Sequence, residues 1–306
     1  MNAIECEHLT RTFGRFRAVD DLNLTVPEGS IFALLGANGA GKSTTLKMLL
    51  NLLRPTSGTA RVLGSESTKF KKDIFRRIGY VTEDQALHDW MTLDQLLDYY
   101  RPLYPLWDRA AEKRLRGIFD LPANRPLKKL SRGMRMKSAF LSVLPFRPEL
   151  LVLDEPFSGL DPQVRDEFIE GLLEVVGSDR PNTVLVSSHD ISEVERLADW
   201  VGILAEGRLV TAEPLTALQS RFRRIEVVGP NVAGRVPEAP PAAWRHLAVP
   251  TENVVQFVHE RFGHDSTERE LQLIFAGAAV TARNMTLREI FLAHIRRTAS
   301  SGQEGP

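Results

Sequence analysis

The sequence has little of what would set it apart from ordinary globular proteins. It contains one cysteine, Cys6, so no intramolecular disulfide can form and nothing points to an oxidising compartment. It has no excess of charge: 39 Lys+Arg face 39 Asp+Glu. A balanced chain lacks the basic surplus that supplies affinity in general nucleic-acid binding, so no direct nucleic-acid partner is expected. No apolar run approaches the roughly 18–20 residues that cross a bilayer. The N-terminal MNAIECEHLTR carries two glutamates and no apolar core, unlike a signal peptide. Internal repeats, low-complexity tracts and heptad runs are also missing. The expectation is a soluble, cytoplasmic protein whose business with a membrane would run through a partner.

What is present is material for one large domain plus a smaller one: 306 residues, 43% hydrophobic and 25% charged. Residues 3–9 and 22–26 alternate apolar and polar, the period of an antiparallel layer. SIFALLG (30–36) is instead continuously apolar, as a strand buried on both faces would be. KSTTLKMLLNLL (42–53) has helical spacing, and RPTSG (54–58) stops it. ELLVLDEP (149–156) and NTVLVSSHD (182–190) are two further buried-strand runs, each followed by a helix-like segment. WVGILAEGRLV (200–210) reads as strand, Glu206–Gly207 turn and return strand. Buried strands alternating with helices predict a parallel α/β sheet. Residues 84–146 have a helical pattern without a buried strand and read as an insertion.

Near Arg221 the texture changes, and residues 230–250 hold five prolines. NVVQFVHERF predicts a strand. Thr267-x-x-Glu270 and Thr286-x-x-Glu289 are capping boxes that predict short helices from about 268 and 287. The organisation is therefore residues 1–220 as the main domain and 221–306 as a small α+β appendix.

GANGAGKS (36–43) matches G-x-x-x-x-G-K-[ST], with a buried strand before it and a helix after it. The loop Gly36, Ala37, Asn38, Gly39, Ala40 and Gly41 lets backbone N–H groups curl around a phosphate, and the helix N-terminus favours the anion. Lys42 reaches the β- and γ-phosphates, the Ser43 hydroxyl suits Mg²⁺, and Thr44 is near a further phosphate oxygen. The motif in this context indicates a nucleoside triphosphate. In LLVLDEP, Asp154 and Glu155 emerge together from a strand end. Asp154 is placed to hold Mg²⁺ through water, and Glu155 to orient or deprotonate an attacking water. His189 ends the next strand run, where ligands collect in open α/β sheets, and is a candidate γ-phosphate contact.

Together these motifs resemble the ATP-binding subunit of an ABC transporter over about residues 1–220. The resemblance begins with Phe13 of TRTFG, which in that family stacks on adenine, and continues through the phosphate loop. IGYVTE (78–83) stands at the family's glutamine-loop position, which makes Glu83 a candidate for the metal and the catalytic water. LSRGM (130–134) stands at the signature position, followed by Asp154–Glu155, the SGLD loop ending at Asp161, and His189. The resemblance implies an ABC-type P-loop NTPase core with an antiparallel β layer and a helical subdomain at about 84–146. It also implies ATP and Mg²⁺ as cofactors and a head-to-tail homodimer, in which Ser131 and Gly133 touch the γ-phosphate bound by the other copy. A serine N-cap followed by glycine is physically suited to an anion. Two positions depart from the common pattern: Glu83 replaces glutamine, and Arg132 replaces the first glycine of Ser-Gly-Gly.

KKLSRGMRMK (128–137) holds five cations and could by itself mean a nucleic-acid patch, a membrane-facing patch or a solvated helix face. The resemblance assigns its anion as the γ-phosphate, with Lys128, Lys129, Arg135 and Lys137 expected as solvated or helix-face charges. Trp90, Tyr99, Tyr100, Tyr104 and Trp107 are expected to divide between helical core and a docking groove for a membrane partner. LYPLWD and TLREIFLAHI look most like subunits paired with a separate, export-type integral membrane protein. The expected function is an ATPase driving transport from the inner face of the membrane. The alternative is a soluble ABC ATPase acting on DNA or ribosomes, and the appendix would be a regulatory or dimer-stabilising module.

Overall fold

The computed structural model describes residues 1–176 and 182–301. The chain clusters into two units, Met1–Ala212 and Glu213–Pro306, so residues 213–220 go with the second.

In the first unit, alternating buried and exposed positions build a hairpin of β1 (Asn2–Phe13) and β2 (Phe16–Pro27). Its antiparallel register runs from Asn2↔Pro27 to Phe13↔Phe16. β3 (Ile31–Leu35) is buried at all five positions, as its unbroken apolar run predicts. The chain then turns through the glycine-rich loop into α1 (Lys42–Leu49). α1 stops short of the predicted Leu53. Asn51 turns left-handed at φ +56°, and the amides of Leu52 and Leu53 fold back onto the Lys47 carbonyl at 2.9 and 3.1 Å. β4 (Ser57–Val62) and β5 (Ser65–Glu66) complete a four-stranded sheet of order β2-β1-β4-β5.

β6 (Ile78–Thr82) leads into the helical stretch: α2 (Leu93–Tyr100), α3 (Arg109–Phe119) and α4 (Arg132–Val143). Each begins where a side chain accepts from an early helix amide. Thr92 and Gln95 form a capping box, Asp108 accepts from Ala110 and Ala111, and Ser131 accepts from Met134. Between 84 and 146 the only strand-like pairing is the Thr92↔Pro126 bridge. Glu112 is buried on α3 and takes Arg101 at 2.6 and 2.9 Å, the Trp107 indole at 2.8 Å and Arg116 at 3.1 Å. Burial pushes its carboxyl up, but Arg101 and these other donors hold it below the ordinary range.

The return to the core is β7 (Leu150–Asp154), α5 (Pro162–Val176), β8 (Thr183–Ser188), the short α6 (Ile191–Val194), β9 (Trp200–Ala205) and β10 (Arg208–Pro214). Glu206 and Gly207 both have positive φ, at 49° and 77°, as a type I′ turn between two strands needs. The six-stranded sheet runs β10-β9-β3-β8-β7-β6, with parallel pairing of β9, β3, β8, β7 and β6. The register places Leu35 beside Ser188, Ser187 beside Asp154, and Asp154 beside Thr82. The carboxyl ends of these parallel strands therefore carry the phosphate loop, the two acids, His189 and Glu83.

One expected surface charge is internal. Lys137 is buried on α4, where its ammonium pairs with Glu167 and donates to the Phe119 carbonyl at 3.3 Å. It faces α5, a contact that the basic run alone does not reveal.

The second unit contains α7 (Leu215–Arg221), β11 (Arg223–Val228), β12 (Trp244–Thr251), β13 (Val254–His259), α8 (His264–Ile274), β14 (Ala279–Asn284) and α9 (Leu287–Ser301). Its antiparallel sheet has the order β12-β13-β11-β14. Ile225, Val227, Trp244, Val255 and Phe257 form one core with Phe262, Leu271 and Phe275. α8 starts at His264, a turn before the predicted 268, because the Thr267 hydroxyl accepts from Gly263 and does not cap its own following turn. Thr286 and Glu289 do form the predicted capping box, opening a 15-residue helix.

Candidate active site

The phosphate loop is fixed by close backbone approach. Gly41 stands at φ +103°, and a Cβ there would lie 2.4 Å from the Ala18 carbonyl oxygen. A Cβ on Gly36 would lie 2.6 Å from the Leu204 oxygen. The Gly207 amide donates to Ala40 O at 3.0 Å, so the β9–β10 turn braces the loop from behind.

Around this loop lies a cleft of about 460 Å³. Phe13, Asn38, Gly39, Gly41, Lys42, Ser43, Thr44, Glu83 and Glu155 line it, as do Phe16 and Ala18. Lys42 is 5% exposed and donates to the carbonyls of Gly36 at 2.7 Å and Ala37 at 3.2 Å. Its ammonium is also 3.0 Å from Glu155 Oε1. The other Glu155 oxygen is 2.7 Å from His189 Nδ1 and accepts the His189 amide at 3.3 Å. Glu155 itself holds a left-handed backbone at φ +51°, where the chain leaves β7.

Asp154 is buried and accepts from two hydroxyls, Ser43 at 2.9 Å and Ser187 at 2.7 Å. Ser187 Oγ also accepts the Glu155 amide at 3.0 Å. Burial holds the Tyr80 hydroxyl above its ordinary range, and the nearby Asp154 adds to that. Donor chemistry here is hard oxygen, which suits Mg²⁺. Among the described residues no cluster of three or more His, Cys, Asp or Glu could form a metal cage. An ion at Ser43 and Asp154 would draw its other ligands from phosphate and water.

Ser131, Gly133 and Asp161 do not line this cleft. Ser131 caps α4, Gly133 lies against Val164, and Asp161 accepts the Val164 amide at 3.0 Å. From α5, Arg165 donates to Leu160 O at 3.0 Å and pairs with Glu193 at 2.9 Å. Glu193 accepts the Ser188 hydroxyl at 3.1 Å, which links the 158–161 loop to the residue before His189. Burial holds the Glu193 carboxyl above its ordinary range, with Asp190 adding to it.

Two residues of the site escape the sequence motifs. Phe16 faces Phe13 across the first hairpin, and Ser187 is one of two adjacent serines in VSSHD. Only register decides that Ser187 is the one facing Asp154. Of the five aromatics, Tyr104 stacks on Phe146 at 3.9 Å and Trp107 is tied to Glu112, whereas Trp90 and Tyr99 are exposed.

The sequence profile described as ABC transporter matches residues 19–158. The bacitracin transport ATP-binding protein of Bacillus licheniformis is 36% identical over 223 residues, 72% of either chain. The chain belongs to the ABC transporter ATP-binding family. The daunorubicin/doxorubicin resistance ATP-binding protein of Streptomyces peucetius is 35% identical over 235 residues, 74% of this chain and 70% of that one. A solved ATP-binding subunit of an ABC transporter superposes with TM-score 0.63 at 27% identity, covering 71% of this chain and 92% of its own. A bacterial ABC transporter cassette solved as a dimer shares the fold, with TM-score 0.60 at 23% identity over 69% and 98% of the two chains. This ABC subunit binds ATP and hydrolyses it. Both curated relatives are named for transport or drug resistance, which leaves the DNA- or ribosome-acting alternative without support.

Proposed function

We propose that this ABC subunit binds ATP with its phosphates in the Gly36–Thr44 loop and that Glu155 activates the attacking water. The observation that carries the reading is the linked set Lys42–Glu155–His189 beyond the carboxyl ends of β3, β7 and β8. Polyphosphate competes with Glu155 for the Lys42 ammonium and, by taking it, frees one carboxylate oxygen to face a water. Phe13 offers an aromatic surface for adenine at the cleft wall, with the Arg11 guanidinium 4.5 Å from its ring centroid. His189, held by Glu155, presents its ring toward the terminal phosphate. Glu155 then accepts the water's proton as the γ-phosphoryl leaves ADP. Ser43 and Asp154 would hold Mg²⁺, which supplies charge neutralisation of the phosphate oxygens. Glu83 lines the same cleft and would offer a carboxylate oxygen to the ion or to the attacking water.

Ser131 and Gly133, outside their own chain's cleft, are proposed to meet the γ-phosphate held by a second copy, with Asp161 at the same interface. The α4 N-terminus, capped by a serine and followed by a glycine, suits an anion. Trp90, Tyr99, Leu103 and Leu106 are exposed apolar groups on the helical stretch, the surface proposed for an integral membrane partner. No helix among the described residues is long and apolar enough to cross a membrane. We place the chain on the cytoplasmic face, powering export through that separate protein.

Titration with a fluorescent ATP analogue tests the cleft. Lys42→Ala should weaken binding by tenfold or more, on the order of the loss of a buried charge-assisted contact. Unchanged affinity would remove the phosphate-loop assignment.

A further inference from the structure

The two positions that depart from the common family pattern, Glu83 and Arg132, pair with each other. They come from separate elements, since Glu83 follows β6 and Arg132 opens α4. Nothing in the hydrolytic chemistry above requires the guanidinium.

Glu83 lines the phosphate cleft with Lys42, Ser43 and Glu155, and also a neighbouring cavity of about 490 Å³ that Arg132 and Arg135 share. Its amide donates to the Asp154 carbonyl at 3.0 Å, which holds it beside the acidic end of β7. A cleft already flanked by Asp154 and Glu155 thus has a third carboxylate at its rim. Uncompensated, that charge opposes a polyphosphate. The nearby cations are committed elsewhere: Lys42 to Glu155, and Arg135 to Asp89 and the Leu127 carbonyl. Arg132 is further confined by the 158–161 loop, where a Cβ on Gly159 would lie 2.9 Å from its Nη1. The pair is substantially exposed, so its contribution to folding is small. Its consequence is for the charge seen by the ligand.

We infer that Arg132 is a positioning residue acting through Glu83: it is the counter-ion that lets a carboxylate stand at the phosphate cleft, and it thereby sets affinity for ATP. The inference rests on the phosphate-loop reading above. Glutamate at 83 and arginine at 132 are then one paired departure, not two.

The test is a double-mutant cycle on the full chain, read as displacement of a fluorescent nucleotide by ATP and by ADP in EDTA. Arg132→Ala should weaken ATP about tenfold at low salt, weaken ADP less, and lose most of the effect at high salt. In a Glu83→Gln background the same substitution should change ATP affinity by less than about twofold. Arg132→Lys should keep most of the wild-type affinity. Equal losses in both backgrounds, equal losses for ATP and ADP, or no loss in either background would each overturn the inference. Lys42→Ala, measured alongside, separates the two claims. If Lys42→Ala loses ATP and Arg132→Ala does not, the counter-ion role alone fails. If neither does, the phosphate-loop reading fails, and the inference with it. Circular dichroism of each variant confirms that folded proteins are compared.

Discussion

The Ser187 hydroxyl joins the two acids at the end of β7, donating to Asp154 at 2.7 Å and accepting the Glu155 amide at 3.0 Å. It belongs to β8, and the parallel register brings it directly beside Asp154. One serine thus fixes the orientation of the proposed metal ligand and the backbone of the proposed base.

Ser187→Ala should accordingly slow ATP hydrolysis by about tenfold or more, the usual scale for a residue that orients a ligand-bearing carboxylate. ATP affinity measured without metal should hardly move, because the hydroxyl does not reach the phosphate loop. Steady-state kinetics alongside nucleotide titration separates the two effects. An equal loss in binding and turnover would show that the hydroxyl serves only packing.

Gly41→Ala probes the loop. The new methyl would meet the Ala18 oxygen at 2.4 Å in a backbone at φ +103°, so strain of about 1–3 kcal/mol is expected. Nucleotide binding should fall with it. Thermal unfolding and nucleotide titration together check this, and wild-type values in both would contradict the geometry.

Much of this site could be seen in the sequence because its parts are local. SIFALLG followed by GANGAGKS spells strand, loop and anion site within fourteen residues, and LLVLDEP places two acids at a strand end. What could not be seen depends on pairing across the chain. Ser187 and Ser188 are chemically identical neighbours until β7–β8 register separates them. Lys137 looks like any helix-face cation until α5 brings Glu167 to it. Glu83 and Arg132 are 49 positions apart, so each appears as an isolated departure. α8 starts a turn before the capping pattern at Thr267 because that hydroxyl accepts from Gly263, a choice that local pattern leaves open.

Glu112 gives a pH dependence with a definite sign. Its native carboxyl is held below the ordinary value of 4.5, with Arg101, Trp107 and Arg116 outweighing the cost of burial. Its contribution to stability is therefore present above that ordinary value and is lost as pH falls through the lower native one. Glu112→Gln should reduce stability at neutral pH and flatten the acid limb of a urea-denaturation series. An acid limb identical to wild type would contradict the assignment.

The second unit should depend on Trp244, whose ring stacks on Phe257 at 4.0 Å and 17° within the buried core. Trp244→Ala is expected to cost about 3–5 kcal/mol, seen as a lower denaturation midpoint for this unit. An unchanged midpoint would show that the stack contributes nothing.

The most direct test of the whole account is Glu155→Gln. This change keeps the shape of the side chain beside Lys42 and His189 but removes the carboxylate proposed as the base. Hydrolysis should fall by about a hundredfold or more, the scale of a lost general base. ATP should still bind, and sedimentation with MgATP should show dimers accumulating. Hydrolysis at the wild-type rate, with no ATP-dependent dimer, would contradict it.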